Sequence, residues 1–191
     1  MDYGFYVLVS RMKNINRWAL MRNSFTENVQ EHSHMTVVLA HALAVIARDV
    51  CGKDADPDKC AAAALFHDAS EIITGDMPTP VKYYSSEITS AYKSVEDIAV
   101  NRLVSALPEE MRPSYSELLS PEGEVKKYVK AADKLSAYIK CVEELKAGNE
   151  EFRRASEQSL KKLEAMEMPE VNYFLENFMP AFMLTLDEIN F

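Results

Sequence analysis

The sequence predicts an all-α protein folded as a compact helical bundle. Glycine is scarce, with 5 of 191 residues, while alanine, leucine, methionine, glutamate and lysine are common, and this composition favours helices. Apolar side chains recur at helical spacing in segments separated by short loops that contain proline or glycine. Because 48% of the residues are hydrophobic, the chain can bury one sizeable core, and we expect residues 1–191 to form a single domain.

The first helices are predicted from apolar periodicity. A helix is expected over part of 6–15, followed by a turn at 14–18. A second helix begins near Thr26 or Asn28 and continues to about Val50. One face of that helix contains His32, Thr36, Leu39, Leu43 and Ile46.

The third helix has signals at both ends. Asp56 is a good N-cap, Pro57 fits the first helical position, and Gly75 is a good C-terminal stop. Two prolines in the following segment, GDMPTPVK, predict a rigid loop that forms the wall of a pocket.

Proline and glycine also divide the second half of the chain. We expect a long helix over 86–107, short pieces around Pro108, Pro113 and Pro121, and another long helix over 124–147. Asn149 can cap a helix that continues to about residue 165, and Pro169 restarts the chain for a last helical region.

The charge and the cysteines limit the partners and the compartment. A net charge of -9 repels polyanions, so we expect no long nucleic acid as partner, although a small phosphate ester can bind beside a local cation. Cys51, Cys60 and Cys141 are odd in number and form no C-x-x-C pair, which indicates free thiols in the reducing cytoplasm. We expect no secretory signal, because Asp2 precedes the apolar N-terminal stretch, and no membrane span of about 20 apolar residues.

Two histidines and two aspartates form the pattern that carries chemistry. On a continuous third helix, His67 and Asp68 lie about 100° apart around the axis, so both can reach one ion, and Glu71, one turn later, lies beside that ion. Imidazole and carboxylate donors suit manganese, cobalt, iron or zinc. Further donors are expected from His32 and from Asp133, a carboxylate that interrupts the apolar pattern of the 124–147 helix.

The order H…HD…D resembles the HD-domain metal-dependent phosphohydrolases. Longer stretches are similar to one family within that superfamily, the bacterial YfbR-type 5′-deoxynucleotidases. They extend from about Arg17 to Ile189 and comprise RWALMR, TENVQEHS, HDASEIITGDMPTPVKYY, AYIKCVEELKAGNEEF and NYFLENFMPAFMLTLDEI.

The resemblance implies a helical homodimer with one divalent metal ion per subunit, cobalt, manganese or a similar transition metal. It implies hydrolysis of nucleoside 5′-monophosphates to nucleoside and phosphate, with deoxyribonucleotides preferred. The residues that match the family's metal ligands are His32, His67, Asp68 and Asp133. The residues that match its catalytic pair are Glu71 and Arg17. The residues that match its substrate contacts are Arg17, Trp18, Asp68, Asp76, Met77, Pro78 and Thr79.

These assignments suggest a working hypothesis for the reaction. A metal-activated water attacks phosphorus, Glu71 orients that water or shuttles its proton, and Arg17 offsets charge on the phosphoryl oxygens. Trp18, the only tryptophan, packs against the sugar and leaves a ribose 2′-hydroxyl crowded or unpaired.

Other functions remain open at this point. One alternative is an HD hydrolase of nucleoside triphosphates, cyclic dinucleotides or guanosine polyphosphates, but the chain has no GYP signature and few basic residues near the predicted site. Another is a non-catalytic helical binding protein with a degenerate HD fold, against which the intact ligand pattern argues. His34 and His41 could suggest a second metal, although structural or surface roles are favoured.

Overall fold

A computed structural model describes residues 3–189 and shows an all-helical architecture, as predicted. The α-helices in this range are α1 (Phe5–Val9), α2 (Val29–Val45), α3 (Pro57–Ala64), α4 (Glu71–Thr74), α5 (Thr79–Lys82), α6 (Ser86–Ser105), α7 (Arg112–Leu119), α8 (Gly123–Lys146), α9 (Arg153–Glu164) and α10 (Pro169–Asn177). Short 3₁₀ segments occur at Ser10–Asn14, Glu109–Met111, Glu150–Phe152, Met179–Met183 and Leu186–Glu188, and a π-helical turn, Ile46–Val50, extends α2.

Several helices begin where the sequence predicts. Asn28 caps α2 in a capping box, in which its side chain accepts from the Glu31 backbone while the Glu31 side chain accepts from the Asn28 backbone. Asp56 caps α3 by accepting from the Lys59 N–H, and Pro57 occupies the first turn. These caps satisfy backbone donors that a helix start leaves unpaired.

The predicted third helix is wrong as a continuous element. Helix α3 ends at Ala64, and the segment 65–70 forms successive turns before α4 begins at Glu71. The Ala64 carbonyl accepts from both the backbone N–H and the ring Nδ1 of His67, at 3.4 and 2.9 Å. Because the chain has tightened to i→i+3 bonds here, His67 and Asp68 are not presented from a regular helix.

Smaller departures affect other predicted boundaries. The first helix is short and continues as a 3₁₀ segment, and the expected turn at 14–18 instead contains an extended stretch. Asn16 in that stretch forms an isolated antiparallel bridge with Asn28. The proline-containing loop includes the short helix α5, which its second proline starts rather than breaks.

The main core lies where α2, α3 and α8 pack together, with α9 and α10 covering it. A second apolar cluster joins α1 to α6 and α7 through Phe5, Leu103, Leu107 and Leu119. The face of α2 predicted to be apolar is buried, including His32 and Thr36. Helices α2 and α8 therefore carry polar residues through the middle of an otherwise apolar core.

Helix α2 and its π turn, Val29–Val50, reach the length and composition of a membrane span, with a mean hydropathy of 1.2. The prediction that no segment would do so is corrected by this helix. Since it packs on α3 and α8 and carries the buried His32, it is a core helix, a kind of helix that meets the same criteria. Its apolar character follows from burial within protein.

Candidate metal centre and active site

Three separate elements bring four donor atoms together. The Nε2 atoms of His32 on α2 and His67 after α3 lie 3.3 Å apart. The Asp68 Oδ2 atom lies 3.0 Å from His67 Nε2 and 3.5 Å from His32 Nε2. Asp133 on α8 places its Oδ1 atom 3.2 Å from His32 Nε2. The structure thus brings together the donor atoms of His32, His67 and Asp68 within 4.8 Å of one another, with Asp133 in contact with His32.

The outward ring nitrogens of both histidines are already engaged. His67 Nδ1 donates to the Ala64 carbonyl at 2.9 Å, and His32 Nδ1 lies 3.1 Å from the Ser136 hydroxyl oxygen. A proton on Nδ1 leaves Nε2 as a lone-pair donor. Orientation of a ligating imidazole by a hydrogen bond at its other nitrogen is a regular feature of metal sites.

The chemistry of this donor set fits a divalent transition metal. Donors held about 2.1 Å from one ion stand about 3.0 to 3.4 Å apart in octahedral or tetrahedral arrangements, and the spacings above have this size. Two imidazole nitrogens and two carboxylate oxygens suit manganese, cobalt, iron or zinc. Carboxylates crowded this closely require a positive charge among them, which a protonated imidazole or a bound metal ion can supply.

The local electrostatics favour such a charge. Burial lowers the pKa of His67, but the Asp68 carboxylate more than offsets this and raises the pKa to about 9. Burial raises the pKa of Asp133, while the hydrogen bond and charge of His32 and the charge of His67 together outweigh burial and lower the pKa to about 2. For Asp68 too, neighbouring His67, His32 and Arg17 hold the pKa below its ordinary value despite burial. The carboxylates are therefore ionised and attract cations.

Arg17 and Trp18 lie beside the cluster and share one acceptor. Arg17 Nη1 lies 3.3 Å from Asp68 Oδ2, and its Nε donates to Glu27 Oε2 at 3.1 Å. The same Glu27 oxygen accepts from Trp18 Nε1 at 3.0 Å. Trp18 adopts a left-handed backbone with φ of 58°, a conformation that costs a non-glycine residue of order 1–3 kcal/mol. The surrounding contacts hold this residue in place.

Glu71 faces the cluster from the start of α4. Burial, followed by the charges of Asp68 and Asp76, raises its pKa to about 9. Its Oε2 atom is buried and has no hydrogen-bond partner within residues 3–189. A buried carboxyl oxygen of this kind is available to a water or substrate oxygen.

The segment expected to line the substrate site has one residue, Asp76, whose charge interacts with Arg17 beside the donor cluster. Gly75, with φ of 72°, ends α4 and turns the chain. Burial raises the pKa of Asp76, although the charge of Arg17 and the Trp18 backbone act to lower it. Met77 and Pro78 are half-buried, whereas Thr79 is exposed at the start of α5.

Structure also identifies residues that sequence reasoning missed. Ser136 orients His32, and Glu27 orients both Arg17 and Trp18. Ser136 stands one turn after Asp133, a helical spacing that could have indicated a shared face. No local signal distinguishes Glu27, because its partners come from the other side of the loop.

The remaining basic and imidazole candidates stand apart from the donor cluster. Arg22 is 94% exposed at its side chain and pairs with Glu151. His34 and His41 are exposed on α2, with His41 Nε2 4.0 Å from an Asp58 oxygen. Surface roles for both histidines, as favoured from sequence, agree with this placement.

Comparisons with known proteins converge on one family. The family model described as 5′-deoxynucleotidase YfbR-like matches residues 4–182. The chain is 48% identical over 189 residues to the 5′-deoxynucleotidases YfbR of Shigella boydii and Escherichia coli, covering 97% of this chain and 95% of each relative.

Solved structures share the fold. A crystal structure of an HD-domain phosphohydrolase from Listeria innocua is similar with a TM-score of 0.82 and 26% identity, covering 94% of this chain and 88% of that one. The cyanophage S-2L HD phosphohydrolase DatZ, bound to dA and one catalytic Zn²⁺ ion, has a TM-score of 0.61 and 20% identity, covering 89% of this chain and 93% of that one. At 20% identity the second likeness concerns the fold alone.

Removing the Ser136 hydroxyl tests the orientation of His32. We expect Ser136→Ala to weaken divalent metal binding by about 10- to 100-fold, as is usual when a partner of a ligating histidine is lost. Competition with a chromophoric chelator measures this affinity. Ser33→Ala is the matched control, because the Ser33 hydroxyl is buried on the same helix as His32 but has no partner within residues 3–189. Equal affinities for the two variants would contradict the role of Ser136.

Proposed function

The chain belongs to the YfbR-like 5′-deoxynucleotidase family, and we infer that it is a metal-dependent phosphohydrolase that removes the 5′-phosphate of nucleoside monophosphates. Deoxyribonucleotides are its preferred substrates, and nucleoside and phosphate are the products. The observation that carries this function is the meeting of His32, His67, Asp68 and Asp133 beside Arg17. That arrangement combines a cation site with a fixed guanidinium, as hydrolysis of a phosphate monoester requires.

We propose one divalent metal ion per subunit, cobalt, manganese or a similar transition metal, held by His32, His67, Asp68 and Asp133. When bound, such an ion polarises a phosphoryl oxygen and makes a water acidic enough to deprotonate near neutral pH. The four donor atoms and their spacing support this assignment. The related HD phosphohydrolase DatZ binds one catalytic Zn²⁺.

Arg17 is assigned to the phosphate. Its guanidinium lies beside Asp68, so a phosphate at the donor cluster comes within reach of its remaining N–H groups. A planar guanidinium donates two parallel hydrogen bonds to phosphate oxygens and offsets their charge. Glu27 fixes the Arg17 Nε, which leaves the outer nitrogens to orient the substrate.

Glu71 is assigned to proton transfer. Its buried Oε2 has no partner within residues 3–189, and it faces the space beside Asp68. From that position the carboxyl group can orient the attacking water, and where a bound divalent cation lowers its pKa it can also accept and return the water's proton at Oε2.

Trp18 and the segment 76–79 are assigned to the nucleoside. Glu27 fixes the indole of Trp18 through Nε1, so that the ring presents a rigid apolar surface. A sugar packed on this surface meets no acceptor or donor for a 2′-hydroxyl, and this favours deoxyribose. We place Asp76, Met77, Pro78 and Thr79 along the same substrate space, an assignment that rests on their match to the family.

We propose that residues 1–191 form one domain of a cytoplasmic homodimer. The family match over 4–182 and the main core shared by α2, α3, α8 and α10 support the single domain. The exposed stripe of α6, formed by Ile88, Val95 and Ile98, supports self-association. These residues follow at helical spacing on one face, and an exposed apolar face commonly marks a contact surface.

The substrate preference is tested with metal-stripped protein reloaded with manganese, cobalt, zinc or magnesium. We expect phosphate release from dAMP to depend on the metal and to exceed that from AMP by about tenfold or more, because selectivity arises from an unpaired or crowded 2′-hydroxyl. Release from neither monophosphate with any metal would exclude this function. Activity on dATP alone would then favour a triphosphate hydrolase, and no activity would favour a binding protein.

The role of Glu71 is tested by Glu71→Gln. We expect kcat to fall by about 100- to 10,000-fold, the usual contribution of a proton-transferring group, while bound metal stays at the wild-type level by elemental analysis. Glu117→Gln, which changes an exposed carboxylate on α7, should retain full activity. Near-normal turnover of the metal-loaded Glu71 variant would remove Glu71 from the mechanism.

The assembly is tested by sedimentation equilibrium. We expect a mass of twice the 21.6 kDa chain and one cooperative unfolding transition. Ile98→Glu introduces a charge into the α6 stripe and should yield monomers, whereas Lys93→Glu, an exposed position about 140° around the same helix from Ile98, should leave the dimer intact. A dimer that survives Ile98→Glu would move the interface elsewhere, and a monomeric wild type would exclude the homodimer.

A further inference from the structure

We propose that a buried ion pair on α8, Lys140 with Glu144, is a positioning unit for the loop from Arg17 to Thr26 and thereby sets the preference for deoxyribose. This inference rests on the proposed function, since it concerns how Trp18 and Arg17 are held at the substrate. The pair touches neither the donor cluster nor the proposed substrate space directly. It acts on the loop that carries the two substrate residues.

Glu144 holds the loop by its backbone. Its two carboxylate oxygens accept from the Ser24 N–H at 3.1 and 2.9 Å. Asn149 extends the attachment, because its side-chain amide donates to Glu144 Oε2 at 2.8 Å and to the Arg22 carbonyl at 2.7 Å. The loop is thus bound at Ser24 to Glu144 of α8 and at Arg22 to Asn149, which follows that helix.

Lys140 holds the same loop from one turn earlier on α8. Its Nζ donates to the Phe25 carbonyl at 2.6 Å and to Glu144 Oε1 at 2.5 Å. The ammonium group also lies 3.4 Å from the centre of the Phe25 ring and 5.7 Å from that of Phe152. Trp18 packs on Phe152 with ring centres 5.3 Å apart, so Lys140 and Trp18 share an aromatic neighbour.

The burial of this pair needs an explanation beyond stability. Lys140 is 2% exposed and Glu144 is fully buried. A buried ion pair is often no more stable than apolar residues of similar volume, because desolvation offsets the attraction. Its distinctive property is directional bonding, and here the bonds are directed at the backbone of one functional loop.

Helix α8 links this attachment to the proposed metal site. Asp133, Ser136, Lys140 and Glu144 are spaced by three or four residues and therefore lie along one face. From Asp133 to Glu144 the helix rises about 16 Å. One rigid element thus carries a proposed metal ligand, the residue that orients His32, and both members of the ion pair.

The left-handed backbone of Trp18 makes the loop dependent on such external contacts. This residue is strained at φ of 58°, and strained conformations persist only where their surroundings hold them. Glu27, which lies just after the loop, accepts a hydrogen bond from the indole Nε1 of Trp18. The Lys140–Glu144 pair holds the backbone of the same loop at Ser24 and Phe25. The Trp18 side chain and the loop that carries it are therefore held by separate contacts.

The test compares two buried carboxylates, each paired with a lysine. Glu144→Gln weakens the attachment of the loop, whereas Glu170→Gln changes a buried carboxylate that pairs with Lys53, 2.7 Å away and outside the loop. Because Trp18 is the only tryptophan, its fluorescence emission and its quenching by acrylamide report the loop without any turnover. Initial rates with dAMP and AMP give the ratio of the two kcat/KM values on the same protein samples.

We expect Glu144→Gln alone to increase acrylamide quenching and to reduce the dAMP-to-AMP ratio by about tenfold, chiefly through KM for dAMP, because small displacements of a binding group are costly. Glu170→Gln should lower the midpoint of urea unfolding yet leave both readouts at wild-type values. A general loss of stability lowers both rates together and leaves their ratio unchanged. Unchanged quenching and an unchanged ratio in Glu144→Gln would overturn the proposal.

A milder variant covers the case in which Glu144→Gln does not fold. Asn149→Ala removes the bonds to Glu144 and to the Arg22 carbonyl, together with the cap bond that Asn149 Oδ1 accepts from the Glu151 N–H, and the same change in quenching is expected in a smaller amount. Wild-type quenching in that variant would then overturn the proposal. A wild-type enzyme that shows no preference for dAMP contradicts the proposed substrate preference, while the Trp18 quenching still decides the positioning role.

Discussion

The structure depends on the close approach of two imidazole rings and two carboxylates that helices α2 and α8 and the irregular turn after α3 bring together. His32, His67, Asp68 and Asp133 offer lone pairs and negative charge to the same small volume. Such a gathering is costly unless a cation lies within it. The packing of α2 and α8 and the irregular turn after α3 place these side chains together. The helix caps and the core contacts stabilise these elements and so offset the free-energy cost of burying the polar groups.

Hydrogen bonds outside the cluster determine how its members face one another. Ser136 and the Ala64 carbonyl engage the outer nitrogens of the two histidines, and Glu27 engages Arg17 and Trp18. None of these partners needs to touch a substrate. Each hydrogen bond restricts the rotation of a side chain to which we assign a role in the reaction. Because this restriction is already present before substrate binds, less entropy is lost during the reaction.

Much of the fold and of the candidate site could be predicted because the relevant signals are local. Asn28, Asp56 and Pro57 mark helix starts by their own capping chemistry. The buried face of α2 follows from the spacing of its apolar residues. The break at Ala64 could not be predicted in this way, because it arises where the His67 ring and backbone N–H share one carbonyl, and residue type alone does not reveal such competition.

The helical class, several helix caps, the ligand types and, through likeness to a family, the reaction could be predicted from the amino-acid sequence. The contacts of Glu27 with Arg17 and Trp18, of Ser136 with His32, and of Lys140 and Glu144 with the loop from Arg17 to Thr26 became apparent in the folded protein. The two kinds of interaction differ in how far apart their partners lie along the chain. Caps, propensities and periodicity act within a few residues along the chain, whereas these contacts depend on how helices and loops distant in sequence pack against one another.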